Sequence, residues 1–149
     1  MALRIRKAEA LDEARWRELF DAYNRFYERE PEPAITAHTW ARIQDFGSPV
    51  HAIVAESGAG QVIAIVNYVV HESTTAKEPV CYLQDLFVDP PHRGAGVGRQ
   101  LIDWMLEEMK RQGWSRVYWN TKEDNYRARA LYDSYTPHSG FVRYVVKAR

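Results

Sequence analysis

Apolar and polar residues follow one another along this chain in two distinct periods, and each period predicts one type of element. Alternating or continuous apolar runs rich in β-branched residues are typical of strands. Such runs predict strands over residues 3–7, 50–56, 61–71, 80–88, 115–120 and 140–147. The segment between the second and third runs, Ser57 to Gly60, contains two glycines and predicts a hairpin turn.

Apolar residues spaced three or four positions apart predict helices in the remaining segments. The first helix begins at Asp12, a residue type that caps helices, and is ended by Pro31 and Pro33. Its apolar stripe consists of Trp16, Leu19, Phe20, Tyr23, Phe26 and Tyr27. Thr36 is the predicted cap of a second, short helix that ends at Gly47. Two more helices are predicted over residues 99–112 and 124–135.

A glycine-dense turn connects the strand over residues 80–88 to the amphipathic helix that follows it. The turn consists of Arg93, Gly94, Ala95, Gly96, Val97 and Gly98. Glycines let the backbone approach a phosphate closely, and the N–H groups and dipole of a helix N-terminus attract an anion. Arg93 adds a side-chain cation. The turn is therefore predicted to bind a ligand that carries phosphates.

Two well-known nucleotide-binding loops are excluded by their spacing, whereas a simple tight turn stays open as an alternative. A Walker loop ends in Gly-Lys-Ser/Thr, but Gly98 is followed by Arg99. A Rossmann fingerprint requires an acidic residue at the end of the next strand, about 20 positions later. Here the next strand ends in Trp119 and Asn120.

The segment from Gln84 to Gly98 strongly resembles the acetyl-CoA motif of the GNAT N-acetyltransferase superfamily, which is Arg/Gln-x-x-Gly-x-Gly/Ala after a strand. The motif matches at Arg93, Gly96 and Gly98. A second block resembles the downstream helix of the family and matches at Asn125, Ala130, Leu131 and Tyr132. The resemblance covers residues 50–146, roughly two thirds of the chain. The stretch from Val117 to Tyr132 is also similar to the subgroup of yeast histone and polyamine acetyltransferases.

The resemblance implies the GNAT acyl-CoA N-acyltransferase fold, an α/β (α+β) domain over residues 1–149. Its central sheet is mixed and mostly antiparallel, with splayed fourth and fifth strands and flanking helices. Acetyl-CoA is then the cosubstrate, bound without a metal by the glycine turn, by Asn125 and by the exposed backbone of Phe87 and Val88. The alternatives are a helix cap for Asn125 and, for Phe87 and Val88, a backbone satisfied by the neighbouring strand.

Tyr132 and Asp85 are the predicted catalytic residues. Tyr132 stands where the family carries its general acid, and a phenol can donate a proton to the leaving thiolate. Asp85 is a charged residue in an otherwise apolar strand and can accept the proton of the attacking ammonium. Each residue has a structural alternative. Tyr132 lies on an apolar helical stripe, and Asp85 also suits a salt-bridged or solvent-facing strand position.

The expected acceptor is a small cationic primary amine, either a polyamine or an amino-acid-like amine. An acid at Asp85 resembles the acidic pair of diamine acetyltransferases, but Gln84 replaces the first acid of that pair. Tyr27, together with Tyr23 and Trp40, is a candidate lining of the acceptor pocket, because aromatic faces attract alkylammonium groups. The alternative is that these aromatic side chains form core.

Three further features bear on the chemistry. His71 and Glu72, at the end of a predicted strand, are weaker candidates for the base. The single Cys81 has no paired histidine, so direct attack in a ternary complex is expected rather than an acyl-cysteine intermediate. The loop between Tyr132 and Gly140 is longer than in the family, which predicts a reshaped acceptor site or a homodimer contact.

Composition narrows the classes of function. The chain has 20 basic and 20 acidic side chains and no net charge, which argues against a dedicated nucleic-acid binder. Cys81 cannot form an internal disulfide, so we expect a cytoplasmic enzyme with a buried, inert thiol. No apolar run is long enough to span a membrane. The alternatives are acetylation of lysines in histone tails or other proteins, and a non-catalytic acyl-CoA-binding module.

Overall fold

The computed structural model describes residues 2–149, which fall into two compact units. The first unit extends to Trp119, and the second comprises Asn120–Arg149. The first unit contains β1 (Arg4–Lys7), α1 (Glu13–Phe26), α2 (Pro33–Gln44), β2 (Val50–Glu56), β3 (Val62–His71), β4 (Val80–Val88), α3 (Val97–Gln112) and β5 (Val117–Tyr118). The second contains α4 (Tyr126–Asp133).

The five strands form one mixed sheet in the order β1-β2-β3-β4-β5. Neighbouring strands are antiparallel except β4 and β5, which are parallel. The continuous apolar runs of β2 and β3 place Ile53, Val54, Ile65 and Val66 in fully buried positions, as expected for strands that are covered on both faces. The predicted α/β class and mixed sheet are confirmed.

Helix α1 packs its aromatic stripe against the sheet. Trp16 and Leu19 are fully buried, and the Trp16 ring lies 5.0 Å from the ring of Trp40 in α2. Burial of one large apolar side chain contributes about 1.5–3 kcal/mol to folding. The predicted stripe is therefore the contact that holds α1 and α2 over one face of the sheet.

The start of α2 differs from the prediction. The helix begins at Pro33 and its N-cap is Glu32, whereas Thr36 lies buried within the first turns and donates its backbone N–H to the carbonyl of Glu32. Proline suits the first helical position, because its fixed φ matches the helix and its missing N–H would have no intrahelical partner there. Pro33 thus opens a helix at a site predicted to end one.

The C-terminal segment also differs from the prediction. Residues 136–149 contain no helix or strand, so the predicted strand over residues 140–147 is wrong. Its apolar side chains are exposed, with Phe141 at 90% and Val146 at 98%. Alternation gives a segment strand propensity, but a strand also needs a partner, and within residues 2–149 none pairs with this segment.

Candidate active site

The glycine turn lies between β4 and α3, as the sequence predicts. Gly94 and Gly96 have φ values of +83° and +81°, a left-handed conformation that side chains with a Cβ rarely adopt. No heavy atom lies within 4 Å of where a Cβ would stand on either residue. Glycine is therefore required here by the backbone conformation, and the space beside the turn is open.

Helix α3 begins directly on this turn. Its N-cap is Gly96, which has no side chain to cap the first-turn N–H groups. The first intrahelical bond of this turn runs from the N–H of Gln100 to the carbonyl of Gly96, at 3.1 Å. The N–H groups before Gln100 and the positive end of the helix dipole therefore face the open side of the turn. These features fit a pyrophosphate group.

Arg93 connects the turn to the end of β4. Its Nε donates a hydrogen bond to the carbonyl of Val88 at 2.9 Å. The guanidinium carbon lies 5.1 Å from the ring centre of Phe87 and 5.8 Å from that of Phe26. One hydrogen bond and two aromatic contacts thus hold the guanidinium group, and with it the positive charge, beside the turn.

The parallel pairing of β4 and β5 is short. It joins Cys81 to Val117 and Tyr82 to Tyr118, and β4 continues six residues further, to Val88. In the part of the chain that the structure describes, no strand pairs with this edge of β4 beyond Tyr82. The two strands therefore separate, as the resemblance implies.

The backbone groups of Phe87 and Val88 face in opposite directions. Asp89 donates its N–H to the carbonyl of Ile63 at 2.9 Å, and bonded and non-bonded pairs alternate along an antiparallel ladder. Phe87, paired with Ile65, therefore directs its backbone groups towards β3, which is the alternative considered for it. Val88 and Leu86 direct theirs towards the free edge of β4.

Asp85 is buried in the centre of β4, with 9% of its surface exposed. Its Oδ2 accepts a hydrogen bond from Nδ2 of Asn67 at 3.1 Å, and Oδ1 of Asn67 accepts one from Nε1 of Trp16 at 2.9 Å. The Tyr23 hydroxyl also hydrogen-bonds to the carboxylate. Burial raises the pKa of Asp85, and the bonds from Asn67 and Tyr23 and the charge of Arg29 only partly oppose that rise.

A bulge in β4 separates Asp85 from its neighbour Gln84. Asp85 pairs with Asn67 and Leu83 pairs with Tyr68, so Gln84 is an extra residue without an opposite partner. The Gln84 residue is exposed, and its carbonyl lies 3.4 Å from the Tyr23 hydroxyl. Only Asp85 of the predicted pair is therefore buried under the helices.

Tyr23 belongs to α1, Tyr27 directly follows α1, and Trp40 belongs to α2, which is compatible with both interpretations of them. Tyr23 and Trp40 are buried members of the core, whereas Tyr27 is half-buried and packs against it. The sequence analysis missed Arg29, whose guanidinium carbon lies 5.6 Å from the Tyr23 ring centre and 5.5 Å from that of Tyr27. The only signal for Arg29 was a cation just past an aromatic helix stripe.

Tyr132 and Asn125 belong to the second unit. Asn125 is the N-cap of α4, and its side chain accepts a hydrogen bond from the N–H of Ala128 at 3.3 Å, which matches the capping alternative. Tyr132 is a half-buried residue of α4, and its carbonyl accepts hydrogen bonds from the N–H groups of Tyr135 and Thr136. Their roles in acetyl transfer stay predictions.

The remaining chemical candidates are held in structural contacts. His71 contacts the Tyr118 hydroxyl through Nε2 at 2.6 Å, and its pairing with Val80 places it at the far end of β4 from the glycine turn. Cys81 is fully buried, and burial raises the pKa of its thiol to about 12. Within residues 2–149, no three His, Cys, Asp or Glu side chains are grouped to hold a metal, and no helix is long and apolar enough to cross a membrane.

Comparison with known proteins gives consistent matches. The model of the acetyltransferase (GNAT) family matches residues 13–135. The D-amino-acid N-acetyltransferase HPA3 of Saccharomyces cerevisiae is 31% identical over 129 residues, which are 86% of this chain and 80% of that protein. The uncharacterized N-acetyltransferase YhfO of Bacillus subtilis is 28% identical over 95% of both chains.

Solved structures share the fold at lower identity. A ribosomal-protein-alanine N-acetyltransferase from Brucella melitensis biovar Abortus superposes with a TM-score of 0.83, at 20% identity, over 99% of this chain and 100% of its own. A probable acetyltransferase superposes with a TM-score of 0.85, at 18% identity, over 98% of both chains. At these identities the likeness concerns the fold alone.

Proposed function

Because this chain belongs to the acetyltransferase (GNAT) family and is an N-acetyltransferase that acts on an amine, we propose that its acceptor is a small primary amine. We propose further that this amine, a polyamine or an amino-acid-like compound, directly attacks acetyl-CoA in a ternary complex. The observation that carries the proposal is the position of Asp85. It is buried and hydrogen-bonded, and it lies on β4, the strand that precedes the glycine turn.

The glycine turn and the free edge of β4 are the proposed binding surface for acetyl-CoA, the cosubstrate of the family. The first-turn N–H groups of α3 and the Arg93 side chain would hold the pyrophosphate. The outward backbone groups of Leu86 and the N–H of Val88 would pair with the pantetheine arm, since the Val88 carbonyl already accepts a hydrogen bond from Arg93. This assignment moves the pairing role from Phe87 to Leu86, because the ladder directs the Phe87 groups towards β3.

Asp85 is the proposed general base. An ammonium group must lose a proton before its nitrogen can form a bond to the acetyl carbon, and a raised pKa makes a carboxylate a better proton acceptor. Asn67 and Tyr23 both hydrogen-bond to the carboxylate and fix its orientation. The ammonium would therefore transfer one proton to Asp85 first, and the lone pair of the resulting neutral amine would then attack the acetyl carbon.

Tyr132 is the proposed general acid. When the carbon–sulfur bond breaks, the leaving sulfur carries negative charge, and a phenol can donate its proton to that sulfur. The proposal rests on the match of Tyr132 to the family motif at the second block. Acetyl-CoA supplies the activated acyl group for this reaction, and the chain supplies the two proton transfers.

The acceptor class is supported by one relative and by one departure from the family pattern. The yeast relative is named as a D-amino-acid N-acetyltransferase, which supports an amino-acid amine as acceptor. Gln84 stands where diamine acetyltransferases carry an acid. It is exposed, whereas Asp85 is buried. A free amino acid is therefore the first acceptor to test.

The test is a comparison of kcat/KM for a free amino acid, spermidine and a lysine-rich peptide, each with acetyl-CoA and with release of free thiol as the readout. We expect measurable transfer to the small amines and the highest value for the amino acid. A dominant rate with the peptide would contradict the proposed acceptor. No transfer to any of the three would contradict the proposed reaction on small amines.

The proposed cosubstrate site predicts a difference between two glycines at opposite ends of α3. Gly96 and Gly113 have similar φ values, +81° and +75°, and neither has a heavy atom within 4 Å of a Cβ position. Gly96→Asp should abolish calorimetric binding of CoA, because a carboxylate would occupy the anion cradle. Gly113→Asp is the matched control, with the same strain and charge, and should bind CoA like the unchanged chain. Equal affinities for the two variants would contradict the site.

The proposed acid predicts a specific loss in Tyr132→Phe. The substitution keeps the ring and removes only the hydroxyl, so the free energy of unfolding should change little. General acid catalysis is worth about 10²–10⁴-fold, and turnover should fall by a factor in that range. Calorimetric CoA affinity should stay unchanged. Turnover close to that of the unchanged chain at every pH would show that Tyr132 serves only packing.

A further inference from the structure

Arg29 lies against the rings of Tyr23, in α1, and of Tyr27, the residue that follows α1. Its guanidinium carbon lies 5.6 Å from the Tyr23 ring centre, and the Tyr27 ring centre lies at a similar distance, 5.5 Å. Its Nε donates to Oδ1 of Asn24 at 3.1 Å, and its backbone N–H donates to the carbonyl of Asn24 at 2.9 Å. These contacts to two rings and one amide restrict the positions that the Arg29 guanidinium can adopt.

The backbone turns sharply to achieve this placement. Glu28 has φ of +59°, the only positive φ among the non-glycine residues that the structure describes. Such a conformation is uncommon for a residue with a Cβ. The turn returns the chain over the end of α1, which directs Arg29 back onto Tyr23 and Tyr27 instead of away into solvent.

Arg29 has no acidic partner within residues 2–149. Two arginines of α1 do pair with acids: Arg15 lies 2.8 Å from Asp89, and Arg17 lies 2.9 Å from Glu13. Arg29 stands between Glu28 and Glu30 in the sequence, yet it forms an ion pair with neither. Since its Nε is occupied by Asn24, its two terminal nitrogens are available to a ligand.

Tyr23 connects this cation to the proposed base. The ring of Tyr23 lies against the guanidinium of Arg29. The hydroxyl of the same residue donates to the carbonyl of Gln84, the residue before Asp85, at 3.4 Å, and its proximity lowers the pKa of the Asp85 carboxyl. The Arg29 charge is close enough to act on the Asp85 carboxylate. One aromatic side chain therefore separates a buried acid from an exposed, unpaired cation.

We propose that Arg29 binds the carboxylate of the acceptor while Asp85 receives its ammonium, so that the acceptor is an amino acid rather than a polyamine. A guanidinium presents two parallel N–H donors that match the two oxygens of a carboxylate. A polyamine would instead bring a second cation towards Arg29 and be repelled. This assignment rests on the proposed transfer of acetyl to a small amine and adds a residue that determines specificity.

Three amines that share one side chain test the assignment. Leucine carries a carboxylate, leucinamide carries a neutral amide in its place, and 3-methylbutylamine carries neither. We expect kcat/KM for one enantiomer of leucine to exceed that for leucinamide by about 10–100-fold, as is typical of a charge-assisted hydrogen bond. The amine of leucinamide is less basic than that of leucine, so a larger fraction of leucinamide is present as the reactive free amine. A preference for leucine therefore could not be explained by the amount of free amine.

Two variants assign the preference to Arg29. Arg29→Gln should reduce the ratio of leucine to leucinamide to near one, and Arg29→Lys should restore part of it, because lysine keeps the charge without the planar fork. Arg25→Gln is the matched control. It removes a cation from the exposed last turn of α1 and should leave the ratio unchanged. Equal values for leucine and leucinamide in the unchanged chain, or an intact ratio in Arg29→Gln, would overturn the assignment.

Calorimetric binding in the presence of CoA separates this assignment from the proposed reaction. Tighter binding of leucine than of leucinamide, lost in Arg29→Gln, would support the carboxylate site even if no amine were acetylated. If leucine and leucinamide bound equally well while no amine was acetylated, the carboxylate site would be overturned. Acetylation of 3-methylbutylamine as efficiently as leucine would leave the reaction standing and refute the role of Arg29.

Discussion

Two buried aspartates of the first unit, Asp12 at the β1 edge and Asp85 in the middle of β4, differ in what surrounds them. Their exposed fractions are nearly equal, 8% and 9%. Asp12 accepts two hydrogen bonds from Arg6, at 2.7 and 3.0 Å, and a third from the N–H of Glu9 at 2.7 Å. Asp85 accepts hydrogen bonds from the neutral side chains of Asn67 and Tyr23.

The two carboxyl groups consequently shift in opposite directions. Burial alone would raise both pKa values. For Asp12 the hydrogen bonds and charge of Arg6 outweigh burial and hold its pKa below the usual value, whereas for Asp85 burial prevails and its pKa is raised. A buried acid with a bidentate cation is therefore a structural ion pair, and a buried acid with neutral hydrogen-bond partners has the raised pKa that the proposed base requires.

The largest expected effect separates the two acids by activity. Asp85→Asn keeps the size and removes the proposed base, so kcat/KM for an amine should fall by about 10²–10⁴-fold, with CoA affinity unchanged. The residual rate should rise towards high pH, where the free amine forms in solution. Because the variant removes a buried charge held by neutral partners, its free energy of unfolding at neutral pH should increase. Steady-state kinetics over pH and denaturant titration measure both.

The same substitution at Asp12 is the matched comparison. Asp12→Asn should leave kcat/KM for the amine close to that of the unchanged chain. If instead both variants lost activity equally, the distinction between the two acids would not hold.

The next expected effect concerns stability. Asp12→Asn should lower the free energy of unfolding by about 1–3 kcal/mol at neutral pH, because Arg6 loses a bidentate partner and keeps only Glu56, at 3.1 Å. Since the folded pKa of Asp12 is depressed, its contribution is present above its unfolded pKa, about 3.9, and is lost as pH falls below that. Denaturant titrations at several pH values should show the difference shrinking in acid. A constant difference would contradict the ion-pair account.

The smallest expected effect sharpens the description of Asp85. The Tyr23 hydroxyl hydrogen-bonds to the Asp85 carboxylate and thereby lowers its pKa. Tyr23→Phe removes that bond and keeps the ring under Arg29, so the acidic limb of the pH–kcat/KM profile should move to higher pH. Tyr82→Phe removes a hydroxyl elsewhere on β4 and should leave the limb in place. A limb that moves to lower pH in Tyr23→Phe would contradict the proposed proton acceptor.

Features that depend on nearby residues were predicted well from the sequence. The glycine turn, the strands β2 to β4 and the stripe of α1 follow from local spacing, and each is present. The start of α2 was mispredicted, because Pro33 was interpreted as a stop when it serves as a first helical residue. β5 was predicted over residues 115–120, yet only Val117 and Tyr118 pair, since the splay removes the partner of the rest.

Local sequence patterns could not predict which residues contact Asp85. Asn67 lies 18 positions from Asp85 and is brought to it by the antiparallel pairing of β3 and β4. Trp16 lies 51 positions from Asn67 and reaches it only because α1 packs on the sheet. The bulge at Gln84 decides which side chain is buried, and one inserted residue leaves no signature in an apolar run. Arg29 was missed for a related reason: its position depends on the backbone turn at Glu28.

The position of Cys81 makes it a reporter on how the sheet opens. The chain has one cysteine, and it pairs with Val70 on one side and Val117 on the other. Its side chain is fully buried, so a thiol reagent can reach it only when the packing over this part of the sheet opens, and its raised pKa keeps the sulfur protonated until then. The labelling rate of native protein therefore measures this opening around β4, without an introduced probe. If CoA slows the labelling, the ratio of the rates without and with CoA would give the free energy of CoA binding.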